Sequence, residues 1–369
     1  MAKTIICCVT NDLCNDRRMI RMCSSLVEDG WQVTLVGRRL PESQPIPTNW
    51  NFQTKRFKLI FHRGYLFYAF FNIRLYLFLL RQESTVFVAV DYDTLSAVAK
   101  AAKRRRRKVV FDAHEWFEEV PELEGRNKVR NKWIQIAHKY LPATHVRFTV
   151  SQGIADKMAE RYGIPFQVVH NVPSLQPIEP SAVRNEDIIV YTGVLNKGRG
   201  LEEVIRAMHD IRAILWLIGE GDLSQYLRDL VAAEGLMHKV IFKGKASPGE
   251  LDGYLRLAKI GLNLLTQTSQ SYEYSLANKF FDYVHAGLPQ ICMDFPEYRK
   301  MNDIHRVACL VGDLKKYTIT YAINHLLDDR NYWFTYHVSC LEARKEWNWD
   351  NESSRYLQMI NSLSEQFGA

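Results

Sequence analysis

The chain has 369 residues, which is enough for two domains because domains average about 150 residues. Hydrophobic residues make up 47% of it and charged residues 24%, proportions that argue against a largely disordered chain. The net charge is +7, and six consecutive bases occupy residues 103–108. Such a run predicts either an anionic partner or the solvated end of a helix that leads into the next strand.

The seven cysteines include no Cys-x-x-Cys pair, so the sequence predicts neither a zinc site nor a disulfide framework. We therefore expect no bound metal and a protein of the reducing cytoplasm. The apolar run at the N-terminus is too short for a signal peptide and is typical of a first strand.

Residues 64–80 form the one segment that resembles a membrane span, and Asn72 and Arg74 interrupt it. A central arginine costs about 2.5–3.5 kcal/mol on insertion scales, and a span needs roughly 20 apolar residues. We expect instead a helix that is buried in the core or lies on a membrane surface.

Short apolar strands alternate with helical patterns along the chain. We predict a first series at 4–10, 32–37, 57–61, 85–90, 108–113 and 145–150, and a second at 187–193, 213–219, 239–244, 260–265, 288–293 and 307–311. This alternation predicts an α/β protein with two Rossmann-like domains, each a doubly wound parallel sheet, facing each other across a cleft. Asn15 or Asp16, Ser151 and Ser247 are expected to begin helices, the last through a capping box.

A proline-rich stretch without apolar periodicity separates the two series. We place an N-terminal domain at 1–172, a linker at 173–186 and a C-terminal domain at 187–345. A last helix at 346–369 is a candidate for packing back on the first domain.

The clearest local motif follows the first strand of the second series and contains Gly193, Gly198, Arg199 and Gly200. Glycines allow close approach of a phosphate, and the following helix N-terminus offers free N–H groups. The motif departs from the P-loop because Arg199 and Gly200 replace its lysine and hydroxyl residue. An ordinary strand-to-helix turn is the alternative interpretation.

A second motif spans residues 272–289, where Lys279 and Asp282 share one face of a helix. A lysine can bind a diphosphate, and an aspartate can accept hydrogen bonds from ribose hydroxyls. The alternative interpretation is a plain ion pair between the two residues within the helix. Ser275 and Asn278 add hydrogen-bonding groups at the same helix start.

In the first domain, His114 and Glu115 directly follow a strand, at the edge where open α/β sheets bind ligands. His114 is a candidate acid, base or hydrogen-bond donor, with a structural role as the alternative. Asn11 and Asp12 follow the first strand and are candidates for ligand contact at the same edge, while their segment also suits helix capping.

Together these segments resemble family 4 of the glycosyltransferases, which have the two-domain GT-B fold. The likeness covers nearly the whole chain and includes the Gly193–Gly200 loop, the Gly219-x-Gly221 turn and the donor helix after Ser275. The stretch from Asp112 to Leu123, which includes His114, is similar to one from a branch of the family that makes bacterial surface polysaccharides.

The resemblance implies that the N-terminal domain binds the acceptor and the C-terminal domain binds the donor, with Asn11, Asp12, His114 and Glu115 as acceptor-side candidates. It also implies a site for each part of a nucleotide sugar. Arg199 takes the position of the diphosphate-binding cation and Lys279 assists it, with the amides near Ser275 and Leu276 beside them. Asp282 stands where the family has a ribose-binding glutamate, and Gly244 belongs to the stretch that lines the base pocket. His114 matches the family's active-site histidine near the transferred sugar.

Two positions depart from the family pattern. Val194 replaces a frequent arginine after Gly193, and Tyr274 occupies the position eight residues before Asp282 where the family has a second acid. Glu273 lies next to it. By the resemblance, Val194 removes one possible phosphate contact, and the acid missing at Tyr274 normally faces the donor sugar.

The resemblance implies transfer of a sugar from a UDP- or GDP-linked donor to an acceptor hydroxyl, with retention of configuration and no tightly bound cofactor. The expected acceptor is a saccharide or a lipid-linked molecule, and an anionic membrane surface is a candidate partner of the basic first domain. The rivals are a GT-B epimerase or phosphorylase and a non-catalytic subunit that binds nucleotide sugars. We expect no nucleic-acid partner, since no recognised module accompanies the basic run.

Overall fold

Parallel strands alternate with helices in a computed structural model that describes residues 3–177, 186–267 and 269–365. The chain divides into two units. The first contains residues up to His170 and those from Asn351 onward, and the second runs from Asn171 to Asp350. Residues 178–185 of the predicted linker lie outside the described residues.

The described part of the first unit has a seven-stranded sheet in the order β3-β2-β1-β4-β5-β6-β7, with every neighbouring pair parallel. Its strands and the helices between them are β1 Thr4–Asp12, α1 Arg17–Glu28, β2 Gln32–Arg39, β3 Gln53–Lys58, α2 Gly64–Leu79, β4 Val86–Val90, α3 Asp91–Arg105, β5 Lys108–Ala113, α4 Asn127–Tyr140, β6 Val146–Thr149, α5 Gln152–Tyr162 and β7 Gln167–Val168.

The described part of the second unit has a six-stranded sheet in the order β10-β9-β8-β11-β12-β13, again parallel throughout. Its elements are β8 Ile188–Thr192, α6 Leu201–Ala207, β9 Ile214–Ile218, α7 Ser224–Ala233, β10 Val240–Gly244, α8 Pro248–Leu257, β11 Ile260–Asn263, α9 Gln270–Tyr274, α10 Asn278–His285, β12 Gln290–Met293, α11 Pro296–Ile304, β13 Ala308–Val311, α12 Lys316–Asp328 and α13 Arg330–Glu346. A last helix, α14 at Trp349–Glu365, belongs to the first unit from Asn351 on.

The predicted α/β class is confirmed, because both sheets are parallel and their central strands are continuous apolar runs. All five residues of β4 are buried, and so are all five of β8. Such strands need helices on both faces of the sheet. In each sheet, successive strands are first added on one side of the first strand and then on its other side. The strand order therefore reverses between β1 and β4 and between β8 and β11. These are the switch points at which open α/β sheets bind ligands.

The predicted helix starts are confirmed at three positions. Asp16, rather than Asn15, caps α1, accepting from the amide of Met19 at 3.0 Å. Ser151 caps α5, and Ser247 forms the full capping box of α8 with Glu250. The local sequence therefore determines where these helices begin.

The prediction for the third strand was wrong in position: β3 covers Gln53–Lys58 rather than residues 57–61. It is an edge strand that pairs with β2, and its side chains alternate between more and less exposed positions. Because most of its residues are polar, a search for apolar runs does not detect it. The apolar Ile60 and Phe61 lie beyond it and are exposed. The two-residue strand β7 was not predicted.

The apolar segment at 64–80 forms α2 and divides its side chains between core and solvent. Four residues are buried, namely Phe67, Phe71, Leu75 and Leu79. Five large apolar residues are exposed on it, namely Tyr65, Leu66, Phe70, Ile73 and Leu77. No helix among the described residues is long and apolar enough to span a membrane.

The basic run at 103–108 covers the last turn of α3 and the first residue of β5. Arg106 adopts the left-handed conformation that ends α3, with φ +54°. Arg105 donates to the carbonyl of Gln82 at 3.1 Å. The backbone of this run therefore agrees with one of its two interpretations, the end of a helix that leads into the next strand.

Candidate functional site

Glycines bring two loops of the second unit into direct contact. A side chain at Gly219 would lie 1.9 Å from the carbonyl oxygen of Gly193, and one at Gly221 would lie 2.4 Å from Asn196. The amide of Gly193 also donates to the carbonyl of Ile218 at 3.0 Å. Only glycine fits at such approaches, so the loop after β8 is held against the loop after β9.

The loop after β8 needs glycine for a second reason. Gly193, Gly198 and Gly200 have φ values of +127°, +86° and +64°, which L-residues rarely adopt. Gly200 is the N-cap of α6 and offers no side chain to its first amides. These φ values explain why the predicted anion-binding loop contains three glycines, and anion binding itself stays a prediction.

Helix α10 is fixed against the same edge of the sheet by Tyr283. Its hydroxyl accepts from the amide of Thr192 at 3.1 Å and donates to the carbonyl of Leu262 at 3.2 Å. Its ring also lies 2.5 Å from where a Cβ of Gly261 would be, so that strand position must be glycine. Lys279 lies one turn before Tyr283 on the same face, and this anchoring therefore places it beside the end of β8.

Lys279 is a buried cation without a hydrogen-bond partner among the described residues. Its side chain is only 7% exposed, and its Nζ lies 3.5 Å from the centroid of the Tyr191 ring. Burial lowers the pKa of Lys279 well below its usual value, and the neighbouring charge of Arg199 lowers that pKa further. The alternative of a plain ion pair with Asp282 is wrong, because Nζ makes no such bond.

Arg199 provides the second cation of this site. Its guanidinium lies 4.7 Å from the centroid of the Tyr272 ring, and its Nε is buried without a partner among the described residues. Two neighbouring cations without an acid between them repel each other, and burying them costs free energy. The arrangement is therefore suited to an anion that bonds to both, such as a diphosphate.

The other predicted donor-side residues have mixed surroundings. Ser275 donates to the carbonyl of Tyr272 at 3.4 Å, and Asn278 is exposed and accepts from Asn171 at 2.8 Å. Leu276 is buried, and Asp282 is partly buried on α10. The side chains of Ser275 and Asn278 are thus used within the protein, while α10 begins at Ala277 without a side-chain cap.

Gly244 ends β10 with φ +68°, and its carbonyl accepts from the amide of Gly219 at 2.8 Å. This bond joins the predicted base-pocket segment to the two glycine loops. Of the two departures from the family pattern, Val194 is 48% exposed and Tyr274 ends α9.

The first unit contains a cavity of about 470 Å³ at the carboxyl ends of β1, β2, β4 and β5. Three of the predicted acceptor-side residues, Asn11, His114 and Glu115, line it. Asp12 does not: it is buried and pairs with Arg56 at 3.4 Å. Asn11 also donates to the capping Asp16 at 3.1 Å, so it has a structural role besides.

His114 belongs to a buried chain of charges. Its Nε2 lies 3.0 Å from Oδ2 of Asp112, whose two oxygens accept from Nε and Nη2 of Arg18 at 3.2 and 2.9 Å. Burial opposes ionisation of Asp112, but Arg18 and then His114 lower its pKa to about 2. Burial likewise disfavours the charged imidazole, but the charge of Asp112 and its hydrogen bond raise the pKa of His114 to about 9. The imidazole is therefore held as a cation and hydrogen-bond donor at neutral pH.

Sequence reasoning missed two carboxyl groups of the same cavity, Asp91 and Asp93. Asp91 has φ +55°, and its Oδ1 accepts from the amide of His114 at 2.9 Å. Asp93 is buried, and its Oδ2 accepts from the hydroxyl of Thr10 at 2.5 Å. Their position directly after the apolar strand β4 is the signal that would have found them. No group of three or more metal-ligating side chains occurs in the described ranges.

The comparisons with known proteins agree with this architecture. The family model described as "Glycosyltransferase Family 4" matches residues 16–174, and the model "Glycosyl transferases group 1" matches residues 186–329. Together these matches take in most of the chain, and both models describe glycosyltransferases.

The solved structures that resemble the chain have the GT-B fold. Sucrose-phosphate synthase from Thermosynechococcus elongatus matches with a TM-score of 0.84 at 14% identity, over 99% of this chain and 100% of that one. HepE of Anabaena, in complex with UDP and glucose, matches with a TM-score of 0.80 at 13% identity, over 98% of this chain and 100% of that one. The two parallel-sheet units and these matches establish the predicted fold.

One curated relative is similar only locally. An uncharacterized glycosyltransferase of Methanocaldococcus jannaschii is 41% identical over 64 residues, which cover 16% of this chain and 16% of that protein.

Proposed function

We propose that the protein transfers a sugar from a UDP-linked donor to an acceptor hydroxyl. The observation that carries the proposal is the pair Arg199 and Lys279, two neighbouring cations with unpaired nitrogens beside a glycine-rich loop. The match of residues 186–329 to the model of group 1 glycosyl transferases supports a nucleotide sugar as the anion. UDP in the HepE complex favours uridine over the guanosine alternative.

The chemical difficulty of such a transfer is the departure of the diphosphate while C1 of the sugar becomes positively charged. Groups already oriented toward the developing charge lower this barrier most effectively. In the proposed mechanism Arg199 and Lys279 bond to the leaving diphosphate, and backbone amides of the Gly193–Gly200 loop and of the start of α10 add to them. Asp282 is proposed to bind the ribose, and Gly244 to border the base.

The role proposed for His114 is to donate a hydrogen bond to the transferred sugar. The chain through Asp112 to Arg18 supports this role because it holds the imidazole oriented and protonated. Retention of anomeric configuration is part of the proposal and rests on the family resemblance. Proton NMR of the product tests it, since the coupling of the anomeric proton identifies the configuration formed.

We also propose a role in bacterial polysaccharide or glycolipid synthesis at the cytoplasmic face of a membrane. Five exposed apolar residues on α2 support contact with lipid, and the exposed Arg63 stands at the start of that helix. Apolar burial together with attraction of bases to anionic lipids gives surface binding without a span. Sedimentation with anionic vesicles at low salt tests this, and absence of binding would remove the membrane role.

The non-catalytic subunit is the rival that the departures at Val194 and Tyr274 favour. It predicts that nucleotide sugars bind but that no acceptor is modified. An epimerase is the other rival, and it would release a changed sugar nucleotide without any acceptor. Product analysis after incubation with donor alone and with donor plus acceptor separates the three functions.

The first test is thermal unfolding of the protein with UDP-, GDP-, ADP- and TDP-sugars, beside Arg199→Ala and the control Arg212→Ala. A ligand at about 100 times its dissociation constant stabilises by about 2.7 kcal/mol. We expect stabilisation by UDP-sugars that is lost only in Arg199→Ala, because Arg212 is an exposed base of the same unit. Stabilisation that survives Arg199→Ala would remove the assigned role of Arg199.

A further inference from the structure

We propose that the cavity beside Asp91 is the acceptor site and that it takes a phosphorylated polyol, a sugar phosphate either free or joined to a lipid. This inference rests on the proposed transferase function and names its second substrate. The cavity of about 470 Å³ lies in the first unit, at the switch point between β1 and β4. Its volume falls in the usual range for small-molecule sites, roughly 300–1,000 Å³.

The side of the cavity after β4 is built for hydroxyl groups. Asp93 is bonded to Thr10, and Oδ1 of Asp91 is bonded to the His114 amide. Burial raises the pKa of Asp91 to about 8 and that of Asp93 to about 6, so near neutral pH the pair retains about one proton. One ionised and one protonated carboxyl can both accept and donate, as neighbouring sugar hydroxyls do.

The side of the cavity after β2 is built for an anion. Arg38, His62 and Arg63 line it, and Nη1 of Arg38 donates to the carbonyl of His62 at 3.1 Å. The guanidinium of Arg38 lies 4.7 Å from the centroid of the Phe67 ring, while its Nε is buried without a partner in the described part of the chain. A buried guanidinium N–H without an acceptor is costly, and a phosphate oxygen satisfies it well.

The spacing of the two sides selects a molecule that carries both groups. Strands β2 and β4 flank β1, so their ends lie about 10 Å apart, roughly two strand spacings. A sugar ring with one attached phosphate reaches across such a distance. An unphosphorylated sugar would leave Nε of Arg38 unpaired.

The surface beside Arg63 distinguishes the two sources of this chemistry. Ile60, Tyr65 and Leu66 are exposed there, so a lipid joined through the phosphate would meet apolar side chains. A free sugar phosphate would leave them in water.

The test is calorimetric titration of the full chain, saturated with UDP, with three sets of probes. They are glucose, mannose, galactose and myo-inositol, then their monophosphates, and then the octyl phosphodiesters of the same polyols. Each is titrated into wild type, Arg38→Gln, Asp91→Asn and the control Arg39→Gln, whose side chain is exposed and does not line the cavity. Asparagine tolerates the positive φ at position 91, so that variant retains the backbone conformation.

We expect at least one monophosphate to bind about tenfold or more tightly than its parent polyol, a difference that Arg38→Gln removes and Arg39→Gln leaves unchanged. Asp91→Asn should weaken the phosphorylated and parent forms alike. A tighter octyl phosphodiester identifies the lipid-linked source, and equal affinity identifies the free one.

The inference is overturned if no monophosphate binds more tightly than its parent polyol, or if Arg38→Gln leaves the difference in affinity unchanged. A separate titration with UDP keeps this result distinct from failure of the proposed function. If wild type binds UDP and shows no phosphate preference, only the acceptor inference fails. If wild type does not bind UDP, the transferase proposal fails first.

Discussion

Arg18 in the first unit and Lys279 in the second are both buried cations, yet their surroundings are opposite. Arg18 makes two bonds to Asp112 and a third, at 2.9 Å, to the carbonyl of Val169. Lys279 makes no hydrogen bond among the described residues and has Arg199 as a neighbour. The charge and N–H groups of Arg18 are thus satisfied without any ligand. The ammonium of Lys279 would be satisfied only by a bound anion.

This difference separates positioning residues from binding residues. A paired buried ion stabilises its surroundings only while both partners are present, and breaking the pair is strongly destabilising. An unpaired buried cation lowers stability until a ligand neutralises it, which is how binding sites commonly trade stability for function. Substitutions in the two places should therefore act on different properties.

The largest expected effect is on stability, from Asp112→Asn. It leaves Arg18 buried without its counter-ion, so the free energy of unfolding should fall by about 3–5 kcal/mol. Urea unfolding measures this, with Asp156→Asn, at an exposed carboxylate of the same unit, as the control. A loss no larger than that of the control would mean that the pair does not hold this region together.

The next largest effect is on turnover, from Arg199→Ala. Removing one group that stabilises the leaving charge should lower kcat about 10²–10³-fold. The free energy of unfolding without ligand should fall by no more than about 1 kcal/mol, because Arg199 loses only its contact with the Tyr272 ring. Initial rates with a UDP-sugar are compared with those of Arg212→Ala, and near-normal turnover would contradict the role of Arg199.

A pH dependence should follow from His114. Its folded pKa of about 9 exceeds the ordinary value of 6.5, so its stabilisation is complete below pH 6.5 and is lost as pH rises toward 9. The stability difference between wild type and His114→Gln should therefore be on the order of 3 kcal/mol near pH 6 and vanish above about pH 9. His238→Gln, at an exposed histidine, is the control. A difference that grows with pH would reverse the sign of the proposed interaction.

The smallest expected effect has the opposite direction, from Lys279→Met. Replacing an unpartnered buried ammonium by an apolar chain of similar length should raise the free energy of unfolding by ~1 kcal/mol. The stabilisation by UDP-sugars should disappear in the same variant. Thermal unfolding with and without ligand measures both, beside Lys315→Met at an exposed lysine. Destabilisation of the ligand-free protein would show that Lys279 is structural.

The sequence alone was sufficient for the two-sheet α/β architecture, for the helix starts at Asp16, Ser151 and Ser247, and for the glycine loop after β8. These features depend on neighbours within a few residues, through apolar periodicity, side-chain caps and positive φ, so they can be read locally. The edge strand β3 was misplaced because half of it faces solvent and its apolar signal is weak.

Only the tertiary structure determined which distant side chains meet. Arg18 and Asp112 are 94 residues apart, and the sequence pattern at Arg18 is that of an ordinary helix start. An ion pair between Lys279 and Asp282 was the alternative interpretation of the sequence, but the packing of α10 turns the lysine toward Tyr191 and Arg199. Burial and charge pairing arise from elements brought together by the whole fold, and no local pattern of residues contains that information.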